Sequence, residues 1–155
     1  MAKIPSKQVE ATASNESIDL LGSDVSENAG TVTTVFSFSV SANDVISIRA
    51  LMRTQSTLGT SGGPQFQINI PSGTMDAQYS APANATGAVS VLMNTSGTSY
   101  SSANWPAANA HHLCEISGLL LIGGTGGTVT IRVRRGSSGT VTVRANSALI
   151  RKKLN

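Results

Sequence analysis

The sequence predicts an all-β fold: a single-domain antiparallel β-sandwich or jelly roll with an extended N-terminal arm. Three observations predict it. Short runs alternate apolar and polar residues, the period of a half-buried strand. Gly, Asn and Pro turns punctuate those runs at regular spacing, as in sandwiches and barrels. No segment holds a helical period. At 155 residues the chain suits one domain with a real core.

Residues 1–29 read as the arm, polar and acidic, and 30–155 as the domain. Within the arm, Ile18, Leu20, Leu21 and Val25 form a small apolar cluster. A short strand is expected near Ser17–Leu21, able to join its own sheet or a neighbour's. In TVTTVFSFSV, the side chains of Phe36, Phe38 and Val40 share one face against Ser37, Ser39 and Ser41. Asn43-Asp44 is a turn signal. VISIRALMR then sets Ile46, Ile48, Ala50 and Met52 opposite Arg49 and Arg53, and the two strands are expected to pair as a hairpin.

After a loop at 54–64, QFQINI turns Phe66, Ile68 and Ile70 inward, and Pro71-Ser72-Gly73 ends it. Met75, Ala77 and Tyr79 suggest a short strand, and GAVSVLM another. Residues 94–110 read as a long loop of small residues holding Tyr100 and the sole tryptophan, Trp105. A structureless loop of that length in a compact domain is usually functional or touches a partner. HLCEISGLLLIG is a strand with a nearly continuous apolar end, Leu119–Ile122. TVTIRVR and TVTVRA close the chain, joined by Arg135–Gly139, for eight or nine strands in all. Gly-Thr-Val-Thr recurs at 30–33, 127–130 and 139–142. It reads as shared turn-to-strand chemistry rather than a repeat, because its spacing is irregular.

Charged residues make up only 12% of the chain, against about a quarter in ordinary soluble domains. Ser and Thr fill the gap, at about one residue in four. No run of about 18 apolar residues is present, and no secretory h-region is visible. One cysteine, Cys114, rules out an internal disulfide framework. The expectation is synthesis in a host cytoplasm and no membrane partner.

Charge is polarised along the chain. Residues 1–29 hold two lysines against Glu10, Glu16, Asp19, Asp24 and Glu27, a net of −3. Residues 132–155 hold Arg132, Arg134, Arg135, Arg144, Arg151, Lys152 and Lys153 with no acid, a net of +7. Nucleic acid is a poor partner for this tail. It lacks interleaved aromatics for stacking, and the overall +3 is small for counterion-driven binding. The acidic arm of one subunit crossing a neighbour's basic face, formed by Arg132, Arg134 and Arg144, fits better.

Catalytic and metal chemistry find little support. His111-His112-Leu113-Cys114 offers three ligands at most, and adjacent strand residues point to opposite faces, so no metal site is expected. A His ring on a three-fold axis is the one alternative. Cys114, His112 and Glu115 lie too close along one strand to converge as a triad. Asp44, Asp76 and Glu115 are the only acids outside the arm, and no pattern brings two of them together. No phosphate-binding Gly loop precedes a helix. The chain is expected to be no enzyme and to hold no cofactor. Tyr79, Tyr100 and Trp105 could stack on a sugar or pack at a subunit contact, and Trp105, with a Pro after it, more often anchors its own loop.

The segments EISGLLLIGGTGGTVTIRVRR and VTVRANSALIRKKL resemble the jelly-roll modules of tailed-bacteriophage virion proteins, related in shape to C1q and tumour-necrosis-factor domains. SFSVSANDVISIRALMR resembles their early hairpin. The resemblance covers about three quarters of the chain. It implies a virion structural protein: a homotrimer decorating the head surface and docking through its arm on the major capsid or another virion protein. A tail or fibre tip binding a host receptor or glycan is the alternative it implies, and a minor coat or connector protein another. The closing strand departs from the pattern. It lacks the usual aromatic and ends in Arg151-Lys152-Lys153, so no receptor contact carries over.

Overall fold

The computed structural model describes residues 15–59, 63–83, 87–101 and 105–155. Glu10 lies outside the described residues. Every regular element among them is a strand. In chain order these are β1 (Glu16–Leu20), β2 (Val25–Glu27), β3 (Thr33–Val40), β4 (Val45–Ser56), β5 (Pro64–Asn69) and β6 (Gly73–Ala83). There follow β7 (Gly87–Met93), β8 (Tyr100–Ser101), β9 (His111–Ile122), β10 (Gly127–Arg135), β11 (Val141–Val143) and β12 (Ala148–Lys153).

The fold is a two-sheet antiparallel sandwich with jelly-roll wrapping. The larger sheet runs β1-β12-β4-β9-β6-β7, with β11 and β2 continuing beside the far half of β4; the smaller runs β3-β10-β5-β8. Chain-early strands pair with chain-late ones in nested order: β1 with β12 and β2 with β11, then β3 with β10, β4 with β9, and β5 with β8. One long antiparallel ribbon is thus rolled on itself, as in jelly rolls. The β6–β7 hairpin is an addition inside the ribbon's closed end, laid along the free edge of β9.

The core lies between the sheets and follows the alternation. Ile46, Ile48, Ala50 and Met52 of β4 face Phe36, Phe38 and Val40 of β3, and Val129, Ile131 and Val133 of β10. A β-bulge in β3 opposite Ile131/Arg132 buries Val35 as well as Phe36. Gly118 lets β6 lie close to β9: a Cβ there would meet Ala77 Cα and Asp76 O at 2.4 Å. The Gly-Thr-Val-Thr phrases are turn exits, with Gly30 at φ +77 and Gly139 at φ +83.

Two expectations need correction. β3 and β4 do not pair as a hairpin. The Ser41–Asp44 turn carries the chain from the small sheet to the large one, so their apolar faces meet across the core. Asn43 takes φ +63 in that turn, and Asp44 Oδ2 accepts the Ser41 N–H at 2.9 Å. The closing TVTIRVR and TVTVRA also belong to different sheets, β10 to the small one and β11 to the large. The 94–110 segment contains β8, paired with β5. Its neighbours are tied down too: Gly97 N donates to Ile68 O at 2.9 Å, and Asn109 N to Ser56 O at 2.7 Å.

Candidate interaction surfaces

The arm lies on the chain's own basic end. β1 pairs with β12 from Glu16↔Lys152 to Leu20↔Ala148, and β2 pairs with β11. Asp19 Oδ2 accepts Arg151 Nε–H at 2.8 Å, and Asp24 Oδ2 accepts Arg144 Nη1–H at 2.5 Å. Asp24 Oδ1 also accepts the Ala145 N–H at 2.8 Å. That backbone bond first, then Arg144, holds the Asp24 carboxyl below the usual carboxylate range. Glu27 is buried where the arm enters the body. Its two oxygens accept N–H bonds from Ala29 and Thr31, at 2.8 and 3.0 Å, and from Arg135 at 2.7 Å.

The expected basic face does not exist as one surface. Arg132 and Arg134 project from the outer side of β10 in the small sheet, while Arg144 sits in the β11–β12 turn of the large one. The roll separates them because the chain changes sheet between β10 and β11.

The outer face of the large sheet is the widest candidate surface. An antiparallel sheet with one solvated face normally alternates apolar inside and polar outside. Here aliphatics sit outside as well. Cross-strand register lines them up in rows: Leu20–Ala148–Leu51–Glu115–Ser80, Ile18–Ile150–Arg49–Ser117–Gln78–Leu92, and Glu16–Lys152–Ser47–Leu119–Asp76. Val45, Leu121 and Thr74 make a fourth row. Ile18 is 61% exposed, Leu20 65% and Leu92 67%. Leu119 and Leu121, in the nearly continuous apolar end of β9, are 41% and 44% exposed. Arg49 Nε donates to Glu115 Oε1 at 2.8 Å, which neutralises the centre of the face and raises the Arg49 pKa.

Trp105 serves the body rather than a ligand. Trp105 is fully buried, with its ring edge-to-face to His112 at 4.8 Å between centroids. It cannot stack on a sugar. Tyr100 is half-buried; its hydroxyl accepts the Thr95 N–H at 3.2 Å and donates to Asn94 Oδ1 at 3.4 Å. His111 is exposed and His112 turns inward. Desolvation first, then His111, lowers the His112 pKa. Burial pushes the Cys114 thiol up to about 11, so it is a protonated core residue rather than a nucleophile. Among the described residues, no three His, Cys, Asp or Glu side chains gather as a metal site. Asp44 is paired with Lys153 at 2.6 Å, and Asp76 lies on the outer face of β6.

A smaller feature escaped the sequence reading. Between the sheets, beside the Ser41–Asp44 turn, a cleft of about 260 Å³ is lined by Asn15, Ser17, Phe38, Ser39, Asp44, Ile46, Arg151 and Lys153. Arg151 and Lys153 continue the inward register of Leu149 along β12, so two cations occupy positions that alternation assigns to the core.

No family model matches the chain, and no curated protein sequence matches it either. Among solved structures, it aligns over 100% of its length with one of the infectious bursal disease virus Gt strain. That match has 11% identity and a TM-score of 0.27, and covers 41% of the other chain. A structure of the Gx strain aligns over 99% at 15% identity and TM-score 0.24, covering 44% of that chain. The VP2 subviral particle of the same virus aligns over 100% at 10% identity and TM-score 0.24, covering 42%. The chain therefore spans less than half the length of each. A likeness at this level assigns neither fold family nor function.

Proposed function

We propose that the chain is a structural protein of a virus particle, and that it self-associates through the outer face of its eight-stranded sheet. The makeup of that face carries the self-association. Exposed apolar patches larger than a few hundred Å² mark interaction sites. Six strands about 4.8 Å apart and some 20 Å long give the whole face, polar and apolar residues together, a footprint of roughly 500–600 Å². That approaches the roughly 800 Å² per partner of a standard interface. The occupant is a second copy. The main ion pair on the face, Arg49 with Glu115, is already closed within the chain, so no oppositely charged partner is called for.

The virion setting is supported by the jelly-roll wrap, which viral coat domains share with lectins and cupins. The strand-and-turn phrases that resemble tailed-bacteriophage modules support it as well. Fold alone does not fix function. The finer reading is a homotrimer that decorates the head surface, docked on the major capsid or another virion protein through its N-terminal segment. The role is non-enzymatic and needs no cofactor. Asp44 and Glu115 are held in ion pairs, and Cys114 is buried. Mass spectrometry of washed particles of the virus that encodes the chain tests the setting. The chain is expected among the particle proteins, in a simple ratio to the major capsid protein. Its absence from washed particles would refute the assignment.

A further inference from the structure

We infer that the cleft at the open corner of the sandwich binds a small carboxylate-bearing sugar, of the hexuronic-acid class. The starting point is register. Leu149, Arg151 and Lys153 alternate onto the inner side of β12, and only the first is core. Cations seldom sit at core-register positions unless paired, and both of these are. Lys153 Nζ meets Asp44 Oδ1 at 2.6 Å, and Arg151 Nε meets Asp19 Oδ2 at 2.8 Å. The guanidinium also lies over the Phe38 ring, 5.0 Å from its centroid. It is therefore held from one edge and one face.

Its terminal amino groups are a different matter. Among the described residues they carry no hydrogen bond, although Arg151 lines the cleft. A guanidinium edge offers two parallel N–H donors at the spacing of a carboxylate. Such an edge, already fixed in place, loses little freedom on binding. The remaining polar wall is hydroxyl and amide, from Ser17, in register with Arg151, and Asn15; Ser39 lies at the rim on the outer side of β3, and Ile46 and Phe38 make the apolar floor. Hydroxyls and an amide beside a carboxylate-reading fork suit a ring with several OH groups and one acid. The volume of about 260 Å³ falls just below the roughly 300–1,000 Å³ of sites for drug-sized molecules, which leaves room for a single ring. Asp19 and Asp44 keep the site near neutral, so a bare anion gains little without the ring contacts.

The test is an NMR titration of the ¹⁵N-labelled full chain with glucuronate, glucose and acetate in parallel. Glucuronate is expected to give saturable shifts confined to Ser17, Ser39, Ile46 and Arg151. Glucose and acetate are expected to bind at least tenfold more weakly. Arg151→Lys keeps the charge but loses the fork, and is expected to weaken glucuronate binding at least tenfold. Ser17→Leu places an aliphatic side chain in the cleft from an exposed position in register with Arg151; it is expected to abolish binding with the spectrum otherwise preserved. No saturable shift with glucuronate overturns the inference. So does acetate binding equal to glucuronate, or full binding by the folded Ser17→Leu variant.

Discussion

At the residue scale, buried polar groups carry specific tasks that can be measured. Glu27 closes three backbone N–H groups at the junction of arm and body. Glu27→Ala leaves those donors unpaired in a buried site, at about 1 kcal/mol or more each. A loss of roughly 3 kcal/mol in urea unfolding is expected, and a loss below about 1 kcal/mol would contradict the role. Cys114 should stay unmodified by a thiol reagent at pH 8 until the protein unfolds, because burial raises its pKa. Rapid labelling of the native chain would show the core to be more open than described. His112 has a lowered pKa in the folded state, so below about pH 6.5 the unfolded chain binds the proton first. Stability should therefore fall as pH drops through that range, and His112→Phe should blunt the fall.

At the element scale, alternation made most strands legible. β3, β4, β5 and β10 follow the alternation of their sequences closely, since one buried face forces a period of two. Pairing was less legible, because a hairpin and a turn that changes sheet share the same local sequence. SFSVSANDVISIR shows this: Asn43 and Asp44 make a good turn, but the far-off strands β10 on one side and β9 and β12 on the other decide which sheet each side joins. The same effect separated Arg132 and Arg134 from Arg144. β6 proved longer than Met75, Ala77 and Tyr79 suggested, and β8 was too short to show a period. The charge balance of the arm was visible, but not that its acids would meet Arg144 and Arg151 of the same chain. Asp24 and Asp44 have lowered pKa values. Their stabilisation is present above about pH 4 and is lost as pH falls through the lower folded values. Hydrogen-exchange protection of β1 and β2 should drop there before the core opens; equal protection down to global unfolding would contradict this. Gly118→Ala should loosen β6 from β9, because the added Cβ meets backbone at 2.4 Å. A melting temperature within a degree of the parent would argue against that close approach.

At the scale of the whole molecule, one jelly roll closes its core and leaves one broad face unfinished. The inner side of the large sheet is filled with Met52, Tyr79, Ile116 and Leu120, while the outer side of the same sheet carries Leu92, Leu119 and Leu121. Sequence reading could not separate these two uses of aliphatics, because a run such as Leu119–Ile122 looks alike when buried on both faces and when one face waits for a partner. Sedimentation equilibrium reads whether this outer face joins copies of the chain. The wild-type chain should sediment at three times its 15.9 kDa mass at micromolar concentration. Leu119→Lys with Leu121→Lys should sediment as a folded single copy. A wild-type chain that stays monomeric, or a double variant that keeps the wild-type mass, would contradict the account.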